Sequence, residues 1–330
     1  MIKIILTLPI QLVLVVSAYS GNPWQTIGSF FHGSGMMVVD TDAGADDAMA
    51  ISLILSGTRS SRIHIAGITC VRGNTGVHNV SKNVLRTLEV NGRLEIPVFE
   101  GSDYGLIATS AIDDYYFGYD GLGDFNYPVP DVSPSKVPAG VFLADVVRRN
   151  PGRVTVVALG PLTNLAVAGL IYPDFYKNAK DIIILGGSTS GIGGMNGSEF
   201  NIWADPYAAI AVFSRSPVSN PVTVIPTETF RQVHISWDWR KYVLGTKGTA
   251  VMDFLNLAER KEPKSGRGWE VSDQVAAAVA IDPTIVLSLF VGRSHLLPNG
   301  IMTVTKDGHD IRVISAVDSD RLKMMLEILL

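Results

Sequence analysis

The amino-acid sequence predicts an open, mostly parallel α/β sheet with helices packed on both faces. Short apolar runs rich in β-branched residues alternate with helical stretches along the chain, which is the pattern of a parallel sheet. Glycines and polar residues directly follow several of these runs, as they do where the carboxyl ends of parallel strands form a ligand site. Because we find no internal repeat or linker, we expect one catalytic domain over residues 36–330.

The first half of the chain supplies four predicted strands separated by helices. Residues 101–138 are rich in glycine, aspartate, tyrosine and proline without periodicity, and a loop of that length is typically functional or mobile. The predicted strands are residues 36–39, 62–69, 96–99 and 154–158, and the predicted helices are residues 45–55, 77–90 and 139–149.

The second half continues the alternation and ends in a different pattern. Residues 284–290 fit a short strand or a helix, and residues 301–305 and 311–316 alternate like a terminal hairpin around Asp307-Gly308. The other predicted strands are residues 181–185 and 222–225, and the predicted helices include residues 207–213, 273–281 and 318–330.

Composition indicates a well-packed globular protein. Of the 330 residues, 47% are hydrophobic and only 18% are charged, so the chain can bury a large core. The formal net charge is −4, and this absence of a basic bias gives nucleic-acid binding no electrostatic support.

Residues 1–20 resemble a secretory signal peptide. Lys3 precedes an apolar run over residues 4–16, and the small residues Ser17, Ala18 and Ser20 provide cleavage positions. The run is short for a transmembrane span, although an uncleaved anchor or a strand of the fold would also be apolar. We expect a secreted protein that has no membrane association after signal removal.

The segment that organises the rest of the chain is acidic. Asp40, Asp42, Asp46 and Asp47 lie between a buried strand and a helix, with Gly44 at the turn. Carboxylates at such spacing raise one another's pKa, and a hard divalent cation relieves their repulsion. Oxygen ligands suit Ca²⁺ or Mg²⁺. The sequence therefore predicts a metal site after the first strand.

This segment resembles the aspartate-rich signature of the nucleoside hydrolases, the inosine–uridine-type nucleoside N-ribohydrolases. The family pattern is Asp-x-Asp-Pro-Gly-x-Asp-Asp, and residues 40–47 match it with Ala43 in place of the proline. The resemblance implies a Rossmann-like sheet, a Ca²⁺ cofactor and hydrolysis of the N-glycosidic bond of small ribonucleosides. It also implies a homo-oligomer, either a dimer or a tetramer.

The resemblance assigns a role to each aspartate of the signature. Asp42 would bind Ca²⁺ and act as general base on the attacking water. Asp47 would be a bidentate Ca²⁺ ligand, Asp46 would hold a ribose hydroxyl, and Asp40 would support the others.

Later segments match further family blocks and complete the implied site. The backbone carbonyl of Leu159, within residues 158–164, and the carboxylate of Asp273 would be the remaining metal ligands. The implied ribose contacts are Asn74, Leu185, Glu199 and Asn201.

The chain departs from the family where the leaving base would be protonated. Phe117 and Ser272 stand where family members have histidines, and His234 and His295 are more typical of structural or exposed residues. Stacking of the base on an aromatic ring, which favours purines, is the expectation instead. Trp269, after a predicted surface loop at residues 260–268, would act as a lid. The aromatic candidates are Trp269, Phe117, Tyr119 and Trp203.

Two other functions fit parts of the sequence. The strand followed by Asp-x-Asp also begins Mg²⁺-dependent aspartate phosphatases, but the later blocks do not match those enzymes. The missing histidines would fit a non-catalytic nucleoside-binding protein on the same fold.

Overall fold

A computed structural model describes residues 35–59, 61, 63–107, 115–263 and 268–330. The predicted signal peptide lies outside these ranges, so its assignment stays a prediction. Within them, no helix is both long and apolar enough to cross a membrane.

The described residues form one nine-stranded sheet in the order β3-β2-β1-β4-β5-β6-β9-β7-β8. Neighbours from β3 to β9 are parallel, whereas β7 is antiparallel to both β9 and β8. The strands are β1 (Gly35–Thr41), β2 (Ile63–Cys70), β3 (Val98–Glu100), β4 (Val154–Ala158), β5 (Asp181–Leu185), β6 (Val222–Ile225), β7 (Val286–Leu296), β8 (Met302–Thr305) and β9 (Ile311–Val317).

Helices connect the strands, and the described ranges include three short 3₁₀ helices, at Leu244–Thr246, Glu259–Lys261 and Pro283–Ile285. The α-helices are α1 (Ala45–Gly57), α2 (Val77–Val90), α3 (Ala139–Arg149), α4 (Thr163–Ile171), α5 (Phe175–Asn178), α6 (Phe200–Ala204), α7 (Pro206–Phe213), α8 (Thr227–Phe230), α9 (Trp237–Tyr242), α10 (Ala250–Ala258), α11 (Ser272–Ile281) and α12 (Ser319–Leu329).

Both faces of the sheet are covered, as the alternation of the strands requires. In β1, Met37 and Val39 point into one core, which includes residues of α1, α2, α10 and α11. Val38 points into the other core, which includes residues of α3, α4 and α7. Successive side chains of a strand alternate between faces, so a fully apolar strand needs helices on both sides. The predicted fold class is confirmed.

The predicted terminal hairpin is wrong. β8 and β9 do not pair with each other, because each pairs with a different part of β7. Residues 286–292 of β7 contact β9, and residues 293–296 contact β8. The alternation of the two segments identified them as strands, but alternation does not specify which partner a strand pairs with.

The helices α1 and α11 pack against each other on one face of the sheet. Both contain alanines at many buried positions, such as Ala48 and Ala50 in α1 and Ala276 and Ala277 in α11. Small side chains allow two helix axes to approach closely. The first turns of the two helices, which contain the acidic residues of the predicted metal site, therefore lie side by side.

Candidate active site

A cavity of about 290 Å³ opens at the carboxyl ends of four adjacent parallel strands. Asp42 after β1, Leu159 after β4, Leu185 at the end of β5 and Thr227 after β6 all line it. Open parallel sheets bind ligands at this edge because the loops after neighbouring strands converge there. The cavity is therefore the candidate active site, and eleven of the predicted site residues line it, whereas Asp40, Tyr119 and Trp203 do not.

Three carboxylates from α1 and α11 meet at the floor of this cavity. Oxygen atoms of Asp46, Asp47 and Asp273 all lie within 4.8 Å of one another. Asp47 accepts hydrogen bonds from the Thr41 hydroxyl (2.5 Å) and the Gly44 backbone N–H (2.9 Å), which fix its orientation. Burial, followed by the charges of its acidic neighbours, raises the pKa of Asp273 well above its usual range. Such a cluster favours a bound cation.

Asp42 is buried beside this cluster but does not belong to the group within 4.8 Å. Its Oδ2 accepts hydrogen bonds from the backbone N–H (2.8 Å) and the side-chain amide (2.9 Å) of Asn74. Burial and the neighbouring Asp47 raise the pKa of Asp42. The structure thus places Asp46, predicted as a ribose contact, among the clustered oxygens, and Asp42, predicted as a metal ligand, beside them.

Asp40 lies beneath the cavity, as a supporting residue would. Its Oδ1 accepts hydrogen bonds from the Thr69 hydroxyl (2.5 Å) and the Asn164 amide (2.8 Å). Asn164, in α4, also donates to the Cys70 carbonyl (2.9 Å), so one amide joins β1 and β2. Complete burial raises the pKa of Asp40 to about 7. Cys70 is a buried free thiol.

The predicted ribose residues Leu185, Glu199 and Asn201 lie at the end of β5 and the start of α6. The Asn201 amide donates to the backbone carbonyls of Leu159 (2.6 Å) and Leu185 (3.2 Å), so the predicted metal-binding carbonyl of Leu159 already accepts a protein donor. Glu199 accepts from the N–H groups of Gly187 (2.9 Å), Asn201 (2.9 Å) and Ile202 (3.2 Å). Glu199 therefore caps α6 and holds Asn201 against the sheet edge.

The donor set fits a hard divalent cation. It consists of carboxylate and carbonyl oxygens only, which Ca²⁺ and Mg²⁺ prefer, and it contains no thiolate or imidazole. Asp46, Asp47 and Asp273 would hold the ion, with Asp42 and the Leu159 carbonyl adjacent to it.

Trp269 forms a buried wall of the cavity rather than a lid. Trp269 is only 2% exposed. The ring of Trp239 packs against it, with 6.4 Å between the two ring centroids. Arg240 lies 5.4 Å from the ring centre and forms a buried ion pair with Glu259 at 2.6 Å. Because Trp239 and Arg240 pack against this buried ring, it cannot open and close over a substrate. The expectation that Trp269 acts as a lid is wrong.

Of the other three aromatic candidates, one lines the cavity and two do not. Phe117 is buried and lines the cavity. Tyr119 is 73% exposed and does not line it, and Trp203 lines a second, neighbouring cavity of about 510 Å³. Neither His234 nor His295 is among the described residues lining the active site.

Sequence reasoning missed several residues that line the cavity. Phe230 and Arg231 follow β6, and Glu262 precedes Trp269. Burial, followed by the neighbouring Glu259 charge, raises the pKa of Glu262 to about 9. The rule that polar residues past a strand end form the site would have found residues 227–231 if applied to β6.

The fold and the cavity define an α/β protein with a candidate cation site in a ligand-sized cavity at the carboxyl edge of its sheet. The sequence model of the inosine-uridine preferring nucleoside hydrolases matches residues 37–324. The chain belongs to this family and is a nucleoside hydrolase, a class that acts on small-molecule nucleosides. The phosphatase and non-catalytic alternatives are set aside.

Known relatives agree with this assignment. Uridine nucleosidase 1 of Arabidopsis thaliana is 37% identical over 82% of this chain and 79% of its own length. A solved plant nucleoside hydrolase is 28% identical with a TM-score of 0.79, covering 90% of this chain and 99% of its own. A solved inosine-guanosine nucleoside hydrolase is 25% identical with a TM-score of 0.82, covering 90% of this chain and 98% of its own.

Replacement of Gly73 by alanine tests the position of Asp42. A β-carbon on Gly73 would lie 2.0 Å from Asp42 Oδ2, so Asp42 must move. Because a displacement of 1 Å can cost about 100-fold in rate, Gly73→Ala should lower kcat/KM by about that factor while the protein remains folded. Circular dichroism and an assay of base release measure the two effects.

Gly76→Ala, in the same loop, is the matched control. The nearest atom to its β-carbon would be the Arg72 side chain at 3.4 Å, so activity should stay close to that of the parent. Equal activity of both variants would contradict the placement of Asp42.

Proposed function

We propose that this nucleoside hydrolase uses Ca²⁺ to cleave the N-glycosidic bond of ribonucleosides, releasing ribose and a free base. The observation that supports this proposal is the convergence of Asp46, Asp47 and Asp273 beside the buried Asp42. Ca²⁺ accepts six to eight oxygen ligands, so these carboxylates together with the vicinal hydroxyls of a ribose would complete its coordination.

Each of the chain's own groups has a defined part in this reaction. Bound Ca²⁺ would hold the ribose diol and lower the pKa of a water molecule beside it. Asn74 binds Oδ2 of Asp42, so Oδ1 is the oxygen that takes the proton from this water. The water oxygen then bonds to C1′, the C1′–N bond breaks, and its electron pair leaves with the base.

The charge of the cavity favours the transition state of this reaction. Eight carboxyl side chains line it: Asp42, Asp46, Asp47, Glu199, Glu259, Glu262, Glu270 and Asp273. Cleavage of a glycosidic bond gives the sugar oxocarbenium character, which is positive charge. The ionised members of this set therefore stabilise the transition state more than the neutral substrate. Glu262, with a pKa raised to about 9, is neutral near pH 7 and does not contribute.

For the base, we propose that uridine and inosine are both substrates and that uridine is cleaved at least as fast. The expectation of a purine preference depended on stacking, and Trp269 is instead covered by Trp239 and Arg240. The Arabidopsis relative is named a uridine nucleosidase, whereas the less similar solved relative is named for inosine and guanosine.

Secretion and homo-oligomer formation complete the proposal. Secretion is supported by the charged start, the apolar run and the small residues of positions 1–20. Sequencing the N-terminus of protein recovered from culture medium tests it, since a mature chain beginning at or near residue 19 or 21 is expected.

Asp273→Asn tests the metal site. The change removes one anionic ligand from the three clustered carboxylates, so Ca²⁺ affinity should fall by more than the roughly 10- to 100-fold that loss of an outer-shell partner costs. Calorimetric titration of chelator-treated protein with Ca²⁺ measures the affinity, and turnover at saturating substrate should fall with it.

Asp42→Asn is the comparison variant, because Asp42 lies outside the three-carboxylate group. It should keep a larger part of the Ca²⁺ affinity but lose about 10²- to 10⁴-fold in kcat with the general base. Undiminished Ca²⁺ binding by Asp273→Asn would remove that residue from the metal site.

Initial rates of uracil and hypoxanthine release, followed by chromatography, test the base preference. The parent should give a kcat/KM for uridine equal to or above that for inosine. Trp269→Ala should lower both activities alike and destabilise the protein by about 3–5 kcal/mol, because the ring is a buried structural wall. A selective loss of inosine cleavage in this variant would restore the stacking hypothesis.

A further inference from the structure

Arg231 provides the one cationic side chain among the described residues that line the active-site cavity. It follows α8, which begins where β6 ends, next to the strand whose end supplies Leu185. Every other ionisable group lining the cavity, within the described ranges and tyrosine apart, is a carboxyl group. A guanidinium in such surroundings would ordinarily be neutralised by an ion pair.

No such ion pair forms within the described part of the chain. The described ion pairs do not include Arg231, although Glu259, Glu262 and Glu270 line the same cavity. Its Nε is buried and has no hydrogen-bond partner. A buried donor without a partner is costly, so this side chain is a candidate for a further contact through the rest of its guanidinium group.

The residues proposed for the ribose and the metal leave a defined part of the lining for the base. Asn74, Leu159, Leu185, Glu199 and Asn201 lie at or after the ends of β2, β4 and β5. The lining residues outside that set and the carboxylate cluster include Phe230, Arg231, Glu259, Glu262, Trp269 and Glu270. A nucleoside whose ribose contacts the first set has these residues left to contact its base, and Arg231 is the cation among them.

We propose that Arg231 contacts the leaving base, donating hydrogen bonds to a carbonyl oxygen and stabilising the negative charge that develops as the C1′–N bond breaks. This inference rests on the proposed ribose and metal site. The electron pair of the broken bond enters the base ring and its carbonyl groups, the guanidinium holds that anion, and water supplies the proton that yields the neutral base. Positioned charge of this kind replaces the missing histidine acid.

The same contact selects among bases. A guanidinium has donors only, so it pairs with the carbonyl oxygen of uracil or hypoxanthine. Cytosine and adenine present an amino group, also a donor, in the equivalent position, and a donor facing a donor leaves both without a partner. The substrate class is therefore nucleosides of oxo bases, with uridine preferred over cytidine and inosine over adenosine.

Arg231→Met tests the proposal with two kinds of substrate. Methionine keeps the length and the apolar stem but removes the charge and the donors. For uridine and inosine, kcat should fall about 10²- to 10³-fold, the usual effect of losing a donor to a developing anion. For p-nitrophenyl β-D-ribofuranoside, whose nitrophenolate leaves without assistance, kcat should stay near the parent value. The ratio of uridine to cytidine cleavage should also fall.

Gln232→Met is the matched control, because Gln232 is the exposed neighbour and does not line the cavity. It should leave all rates unchanged. An equal loss of nitrophenyl riboside and nucleoside cleavage in Arg231→Met would overturn the proposal, as would unchanged nucleoside rates. A parent protein that cleaves none of these ribosides would instead refute the proposed function, so the two failures are distinguishable.

Discussion

Mutual repulsion among buried carboxylates is the constraint on which the rest of this structure depends. Asp46 and Asp47 begin α1 and Asp273 begins α11, and close packing of these alanine-rich helices brings their oxygens within 4.8 Å. Burial raises the pKa of all three, and neighbouring charge raises the pKa of Asp46 and Asp273 further. Clustered buried carboxylates destabilise the folded protein unless a positive charge lies among them. Their presence therefore indicates a function, since a bound cation or a developing oxocarbenium ion relieves the repulsion.

The polar groups around the cluster preserve its geometry. Thr41 orients Asp47, Asn74 orients Asp42, and Asn164 joins Asp40 to the strand carrying Cys70. Each is a neutral donor that binds a carboxylate, so the acids keep defined positions without being neutralised by a cationic side chain. The negative charge of the cluster is thereby retained for the metal and the sugar.

The cavity lining combines groups of opposite charge. Strand ends and the first turns of α1 and α11 supply the carboxylates of the candidate metal site. The rest of the lining includes aromatic rings, Arg231, and Glu259, which is paired with Arg240. Hydrolysis of a nucleoside can use both signs of charge, because positive charge develops on the sugar while negative charge develops on the base.

The sequence by itself determined the parallel sheet, the acidic segment and eleven of the residues that line the cavity, because strand periodicity and motif spacing are local properties. It did not determine that β8 and β9 pair with β7, that Trp269 is a covered wall, or that Arg231 faces a cavity of carboxylates. Those facts depend on contacts between segments far apart in the chain. Only the folded structure decides which strand edge is free, which ring is covered, and which charge lacks a partner.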